Sequence, residues 1–356
     1  MPLSVYAATF AVLALLACLL SIFPLVVHLK ARNLATTVLT LAALLLNIQN
    51  FVNALIWTSR NPDTWWNGKI LCDIEVKLYV GFGIAIYGAI ASLFRHIYTI
   101  LDVENTTALP SPQQRRIRLA IELGLCIIMP IVIAAAHYMV QKDRYWIRTS
   151  AGCTPSYDNC WATLILIFLW PLVLCLVASG YCIISVVRLW RHRTQMSSVF
   201  SNTPGVTRSR FTRLFALAFA LLVIYCPLAI YTFSANAVIP THMYSWSYVH
   251  PPDWPERIIK RPTSERFGLN RWAQVATAYM LFIFFGLGHE AIHMYKSCLR
   301  ELKVLLTADC VKQDNIRGRS ARNVHPSQTD PGTIITDISS TPEGFPLAGM
   351  RMAETD

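Results

Sequence analysis

The sequence predicts an all-α membrane protein: a bundle of seven transmembrane helices, with the amino terminus outside the cell and the carboxyl terminus in the cytoplasm. The 356 residues are 54% hydrophobic and only 14% charged, whereas a soluble domain carries about 25% charged residues. Seven apolar runs approach the length of about 20 residues that crosses a bilayer as a helix. Basic residues are concentrated in the loops predicted to face the cytoplasm, which is the usual bias of membrane proteins.

The seven runs define the domain organisation. Backbone polar groups in lipid must be paired within the segment or in a closed barrel, and runs of this length form helices. The predicted helices span about 5–27, 34–57, 72–100, 119–140, 161–187, 214–238 and 272–294. They form a seven-helix domain over 1–300. A tail over 301–356, rich in Ser, Thr, Pro and Gly, is predicted to be mostly disordered and cytoplasmic.

The charges beside the helices orient the bundle. The first four residues carry no charged side chain, and Lys30 and Arg32 follow the first run. This order is the reverse of a cleaved signal peptide and places the amino terminus outside. The sequon at Asn105 falls in a predicted cytoplasmic loop, so a glycan there would invert the orientation. The net charge of +11 is therefore interpreted as membrane topology, and nucleic-acid binding is not expected.

Three cysteines lie on the predicted outer side, where the environment is oxidising and disulfides form. We expect a bond between Cys72, at the start of helix 3, and Cys153 in the second outer loop. Pairing of Cys72 with Cys160 is the alternative. Cys298 directly follows the last helix and is either a palmitoylation site or an unmodified buried thiol.

One motif indicates a different chemistry. His289, Glu290 and His293 match His-Glu-x-x-His, which in metalloproteases places two zinc ligands and a general base on one helix face. A catalytic zinc also needs a third protein ligand and an open position. No other predicted helix offers an obvious Asp or His at the matching depth. An intramembrane zinc metalloprotease is therefore the alternative function, whereas the main interpretation expects no metal or other cofactor.

Several stretches resemble one receptor family. Residues 50–78, NFVNALIWTSRNPDTWWNGKILCDIEVKL, are similar to the most distinctive segment of the fungal lipopeptide mating-pheromone receptors, the a-factor type of class D G-protein-coupled receptors. Glu290 matches the acidic position of helix 7 in this family, so the zinc pattern becomes a coincidence of two flanking histidines. The likeness covers about residues 5–300 and departs in the long, basic third outer loop. Further similar segments are SLFRHIYTIL (92–101), GCTPSY (152–157) and RWAQVATAYMLFIFFGLGHEAIHMYK (271–296).

The resemblance implies a plasma-membrane receptor that binds a farnesylated peptide pheromone and activates a heterotrimeric G protein, without enzymatic activity. Membrane lipids are further expected partners, and homodimer formation is left open. Another seven-helix receptor or a transporter is also an alternative. A transporter would favour paired inverted repeats with broken helices, and the sequence shows none.

A lipopeptide needs apolar area for its isoprenoid and polar contacts for its backbone. Aromatic and charged residues cluster at the predicted outer end of helix 3, although tryptophans at this depth also serve as interfacial anchors. Deeper candidates follow from predicted depth alone. The candidate ligand-binding residues are Trp65, Trp66, Asp73, Glu75, Lys77, His137, Tyr138, Trp161 and Tyr231.

The candidates for a switch are Glu290, Asn50 and Pro227. Arg95 and Glu290 reach a similar depth at a rise of about 1.5 Å per residue, so we hypothesise a resting ion pair that releases Arg95 to the G protein. Contact of Arg95 with lipid head groups is the alternative. Asn50 lies on a polar stripe of helix 2, where static interhelical bonds are the alternative. Pro227 is the candidate hinge of helix 6, or a fixed kink.

Basic residues around the predicted inner ends of helices 5 and 6 are the candidate G-protein contacts, together with Arg95. Anionic lipid is the alternative partner for each of them taken singly. These residues are Arg191, Arg193, Arg208, Arg210 and Arg213.

Overall fold

The structure is a computed structural model that describes residues 5–59, 61–101, 111–191, 208–237, 242–262, 268–287 and 300. The chain separates into two units, Met1–Lys296 and Ser297–Asp356. Apart from Arg300, the described residues all belong to the first unit. Most of them are helical, and six of the described helices are long and apolar enough to cross a membrane.

The helices follow the apolar runs of the sequence with shifted ends. The six long helices are α1 (Val5–Lys30), α2 (Leu34–Ile56), α3 (Leu71–Ile100), α4 (Pro112–Val140), α5 (Trp161–Arg191) and α6 (Arg208–Ala237). A further helix, α7, spans Leu269–Leu281 and continues as a π-helical turn over Phe282–Gly286. α4 begins at Pro112 and not at residue 119, because Ser111 and Gln114 form a capping box in front of it.

Helix α3 lies at the centre of the bundle and packs against α2, α4, α5 and α6. α1 packs against α2 and α7. The approach of α3 to α4 depends on Gly88, because a Cβ there would lie 2.1 Å from the carbonyl oxygen of Leu125. Leu125 belongs to the π-helical turn Gly124–Ile128 of α4. A side chain at position 88 would therefore push the two helices apart.

The outward faces of the long helices are apolar. Large hydrophobic side chains are exposed on α1, α4, α5 and α6; examples are Leu19, Ile131, Ile183 and Val223. In a soluble protein such continuous apolar surface would be costly, whereas lipid tails solvate it. Inside the bundle, the polar side chains of α2 are buried, as expected for membrane helices. These features describe a multi-pass membrane protein.

The all-α prediction is wrong in the loops, because they form a three-stranded sheet. Strand β1 (Tyr145–Arg148) pairs antiparallel with β2 (Gly152–Thr154) and parallel with β3 (Ile258–Arg261). The strands have three or four residues each. Such short strands carry little periodicity, and the parallel pair joins segments that are distant in sequence. Neither feature could be recognised from a local pattern.

One face of this sheet covers a small apolar core at the start of α3. Trp57, Trp65, Tyr145 and Ile147 pack there around a disulfide between Cys72 and Cys153. The structure therefore favours the first of the two pairings considered, and Cys160 is a buried free thiol. We refer to the three strands, Trp57 and loop 61–70 as the cap, and to the corresponding end of the bundle as the cap end.

Gly152 allows the β1–β2 hairpin to dock on α2. Its φ of +63° is unfavourable for other residues. An added Cβ would also lie 2.5 Å from Asn53 and 2.7 Å from Trp57. The hairpin is held at this position by a hydrogen bond from the Ser150 amide to the Trp57 carbonyl, 2.7 Å long.

Candidate ligand site beneath the cap

A cavity of about 110 Å³ lies between α3, α5, α6 and α7. Aliphatic and aromatic side chains form most of its wall, and Tyr157 closes it from the loop after β2. Asn270, Gln274 and Thr232 add polar groups. A mostly apolar cavity with a few polar groups is the usual form of a small-ligand site. The tyrosines in its wall are Tyr79, Tyr87, Tyr157 and Tyr225.

Gln274 connects the cavity to a buried polar network. The Asn50 amide donates to Oε1 of Gln274 (3.1 Å), and Nη1 of Arg271 donates to Oδ1 of Asn50 (2.6 Å). Nη2 of Arg271 donates to the carbonyl of Cys153 (3.2 Å). One guanidinium thus joins α7, α2 and the disulfide-bonded strand β2. This network connects the cap with the cavity wall.

Arg271 is the residue that the sequence analysis missed. The helix predicted from the sequence begins at residue 272, which leaves Arg271 in the preceding loop. In the structure α7 begins at Leu269, and Arg271 is only 4% exposed. Its guanidinium lies 5.6 Å from the ring centre of Tyr79 and interacts electrostatically with Glu75. The signal available in the sequence was a charged residue at the edge of an apolar run. A buried arginine needs several hydrogen-bonding or charged partners at once.

A second polar group lies between α3 and the end of α4. The Lys77 ammonium donates to Oε1 of Gln141 (2.8 Å) and lies 3.1 Å from Nδ1 of His137. Nε2 of His137 lies 3.1 Å from the Ser156 carbonyl, which fits a neutral imidazole that donates through Nε2 and accepts at Nδ1. His137 also packs edge-on against Tyr157. Lys77 and His137 therefore support the cavity wall from behind.

The cap is fixed to α3 by an ion pair. Nε and Nη2 of Arg144 donate to the two carboxylate oxygens of Asp73 at 2.9 and 2.6 Å. The remaining Nη1 donates to the Pro255 carbonyl (2.8 Å). The Asp73 carboxylate raises the pKa of Arg144, which stays charged. Asp73 thus has a structural partner.

Tyr138 belongs to an aromatic cluster at the surface of the cap end. Its ring packs against Trp246, His250 and Trp254, which follow α6 in the chain. Burial lowers the pKa of His250.

None of the nine predicted ligand residues lines the described cavity. Trp65 is buried in the cap core, and Trp66 stacks on Trp57. Glu75 is buried beside α2. Trp161 and Tyr231 are exposed on the outside of the bundle, so the selection by depth did not bring them to the cavity. The depth of a residue along a helix does not determine whether its side chain faces the bundle interior. The rotation of α5 and α6 about their axes turns Trp161 and Tyr231 outward.

The distal end, opposite the cap, carries the predicted basic residues. Arg191 and Arg210 are exposed, and Nε of Arg213 donates to the Ser209 carbonyl within α6. Arg95 is partly buried near the end of α3, where Glu122 of α4 interacts electrostatically with it. The sequence analysis did not consider Glu122.

The remaining predicted residues lie in α6 or outside the described part of the chain. Arg208 is the first residue of α6, and Pro227 lies within the same uninterrupted helix. Arg193 and Cys298 lie outside the described residues, as do His289, Glu290 and His293 of the zinc pattern. Within the described part of the chain, no cluster of His, Cys, Asp and Glu is suited to hold a metal.

Comparisons with known proteins agree with this architecture. The chain is 28% identical to the pheromone a factor receptor of Saccharomyces cerevisiae, over 85% of this chain and 63% of that protein. It is 26% identical to pheromone receptor 1 of Ustilago hordei, over 87% of this chain and 88% of that protein. Identity to the pheromone B alpha 3 receptor of Schizophyllum commune is 26%, and only 46% of that protein is covered. The chain thus spans about half to two thirds of some relatives.

The family model described as STE3, pheromone A receptor, matches residues 9–305. This match includes the whole cap and every described helix except the first four residues of α1. The relatives are named as receptors and not as enzymes. The chain therefore belongs to the STE3 pheromone A receptor family.

Proposed function

We propose that this protein is a plasma-membrane receptor that binds a farnesylated peptide mating pheromone and activates a heterotrimeric G protein. The observation that carries the proposal is the family match over residues 9–305, combined with an apolar, tyrosine-rich cavity beneath a covalently fixed cap. The apolar wall suits an isoprenoid. Gln274, Asn270 and Thr232 offer hydrogen bonds to a peptide backbone.

The proposed topology has seven transmembrane helices, with the cap end outside. Disulfides form in oxidising compartments, which favours an external position for Cys72 and Cys153. The start of α1 lies at the same end, because Nε1 of Trp272 donates to the Tyr6 hydroxyl (3.0 Å). An external amino terminus supports a cytoplasmic position for the tail 301–356. Epitope tags at the two termini, probed on intact and permeabilised cells, test this orientation.

The distal end is the proposed G-protein surface. Arg95, Arg191, Arg210 and Arg213 bring positive charge to the ends of α3, α5 and α6. Arg193 and Arg208 extend this charge along the sequence. Charge at such an interface mainly guides association and orientation. Removal of two or more of these charges together should weaken coupling without loss of ligand binding.

The test of the proposed function uses a fungal reporter strain that lacks its own pheromone receptors. The full chain is expressed, its presence at the cell surface is confirmed, and lipid extracts of candidate mating partners and synthetic farnesylated peptides are added. A response that requires the G protein supports the proposal, and its retention in His293→Ala separates it from zinc chemistry. Silence of well-localised receptor towards all of these ligands would contradict it.

A matched pair of glycine variants tests the position of the site. An added Cβ at Gly83, in the cavity wall, meets no atom within 4 Å, so Gly83→Leu should fold and fill the cavity. Gly180 on the exposed side of α5 is equally open, so Gly180→Leu is the control. We expect Gly83→Leu to raise the half-maximal ligand dose about tenfold or more, equivalent to about 1.4 kcal/mol. Equal doses for both variants would place the site elsewhere.

A further inference from the structure

The cap has a second face, which carries arginines. Tyr145 and Ile147 of β1 point into the cap core, so the alternate residues Trp146 and Arg148 lie on the opposite face. In the parallel pair β1–β3, Arg148 is the partner of Arg261. The guanidinium carbon of Arg261 lies 4.0 Å from the ring centre of Trp146, and that of Arg148 lies 5.5 Å from it. Two cations therefore share one indole ring.

These two arginines lack a counter-charge in the described part of the chain. Neither has an ion pair there, and the Nε of Arg148 is buried without an acceptor. The neighbouring carboxylate of Asp143 accepts from Nε1 of Trp146 (2.7 Å) and lies 3.7 Å from Nε of Arg257. Burial, followed by the charge of Arg261, lowers the pKa of Arg148. Arg148 is still a cation at neutral pH, because the guanidinium pKa begins above 12.

Electrostatic interactions connect the basic face with residues of the cavity wall. Arg148 interacts electrostatically with Tyr79, which lines the cavity, and with Arg271. Arg271 bonds in turn to Asn50, and Asn50 bonds to Gln274 in the cavity wall. A negative charge bound to Arg148 would therefore change the electrostatic potential at the cavity wall. An arginine that stacks on an aromatic ring presents a planar, fixed set of donors. This set fits the two oxygens of a carboxylate better than the ammonium of a lysine does.

We propose that Arg148 and Arg261, stacked on Trp146, bind a carboxylate of the peptide ligand on the cap. This inference rests on the proposed function and adds a chemical requirement to the ligand. The carboxylate belongs either to an Asp or Glu side chain or to a free carboxyl terminus. The apolar part of the same ligand would occupy the cavity beneath.

The experiment compares dose–response curves in the same reporter strain, with the wild-type ligand as an active extract or peptide. Arg148→Gln is expected to raise the half-maximal dose about 10- to 100-fold, because a partly buried charge pair is lost. Arg261 is exposed, so Arg261→Gln is expected to raise it about two- to fivefold, as for the loss of an exposed ion pair. The control Arg257→Gln removes an arginine of the same loop whose partners are Asp143 and Asp253. Arg148→Lys keeps the positive charge, and its dose–response curve is measured together with its surface expression. Normal surface expression of a variant shows that the hairpin is folded, so that a higher half-maximal dose then reports on the loss of charge.

The outcomes distinguish this inference from the proposed function. If the wild type responds and both glutamine variants respond at the same dose as Arg257→Gln, the carboxylate site is wrong and the receptor function stands. If the wild type does not respond to any of the ligands, the carboxylate site and the proposed function are both contradicted. Methyl-esterified synthetic peptides, and peptides with Asp or Glu changed to Asn or Gln, then identify the source of the carboxylate. Full potency of a peptide lacking both groups would overturn the site.

Discussion

The two ends of the bundle are held together in different ways. At the cap end, a disulfide, a sheet, the Arg144–Asp73 pair and the Arg271 network connect α2, α3 and α7 to the loops. At the distal end, ring contacts such as Phe94–Phe215 dominate between α3 and α6, and Arg188 stacks on Tyr98 between α5 and α3. Among the described residues, directional contacts therefore predominate at the cap end, whereas aromatic packing and the hydrogen bonds of Arg188 to Tyr98 hold the distal end.

The position of α6 shows what this difference implies. Its hydroxyl contact in mid-bundle, Tyr225 to Thr277 at 2.9 Å, lies beside the cavity. Towards the distal end, Phe211, Phe215 and Phe219 stack along the helix and present an apolar surface. A ligand in the cavity would therefore act on α6 near Tyr225.

The largest expected effect is loss of the disulfide. Cys72→Ser breaks a bond that joins residues separated by 81 positions, and removal of a native disulfide costs about 2–5 kcal/mol. We expect a strong fall in receptor at the cell surface and in the melting temperature of purified protein. Cys160→Ser, at a buried free thiol, is the control. Equal stability of the two variants would show that the cap does not depend on the bond.

The next effect concerns Arg271. Arg271→Gln shortens the side chain that donates to Asn50 and to the Cys153 carbonyl. Each acceptor left unpaired in a buried site costs about 1–3 kcal/mol. Arg257→Gln is the control, because Arg257 is partly exposed and its ion pairs with Asp143 and Asp253 are long, at 3.7 and 3.8 Å. Thermal unfolding of the purified receptors measures both. A melting temperature of Arg271→Gln as high as that of Arg257→Gln would show that the network contributes nothing.

A smaller effect would identify the partner of Arg95. Glu122→Gln and Glu290→Gln each remove one candidate carboxylate, and a partly exposed ion pair is worth about 0.5–1 kcal/mol. Loss of the restraining pair should raise basal reporter activity about two- to fivefold. The variant with the effect identifies the restraint; Glu256→Gln, in the loop before β3, is the control. Unchanged basal activity in both variants would remove the ion-pair hypothesis.

The smallest effect is a pH dependence from His250. Burial among Tyr138, Trp246 and Trp254 lowers its pKa, so the folded state binds fewer protons than the unfolded state. Its contribution to stability is therefore present above the unfolded pKa of about 6.5 and is lost as the pH falls below it. We expect a small decrease in melting temperature between pH 7 and pH 5. His250→Phe should lack that decrease; an identical decrease would assign it to another group.

The sequence by itself determined the membrane class and the approximate helix spans. The composition and the long apolar runs are local properties, and the need to pair backbone groups in lipid leaves the helix as the solution for runs of this length. The buried polar stripe of α2 followed from the same rule, since Asn47, Asn50 and Asn53 are all buried. Residues 50–78 were distinctive enough to indicate the family.

The tertiary structure decided which residues meet. The parallel pairing of β1 with β3 joins segments more than one hundred positions apart, so the face shared by Arg148 and Arg261 could not be recognised in either segment alone. The rotation of each helix placed Tyr79 and Tyr225 at the cavity and turned Tyr231 outward. Hydropathy encodes the depth of a residue in the membrane, whereas its direction depends on the packing of neighbouring helices. The spans could therefore be predicted from the sequence, and the site could not.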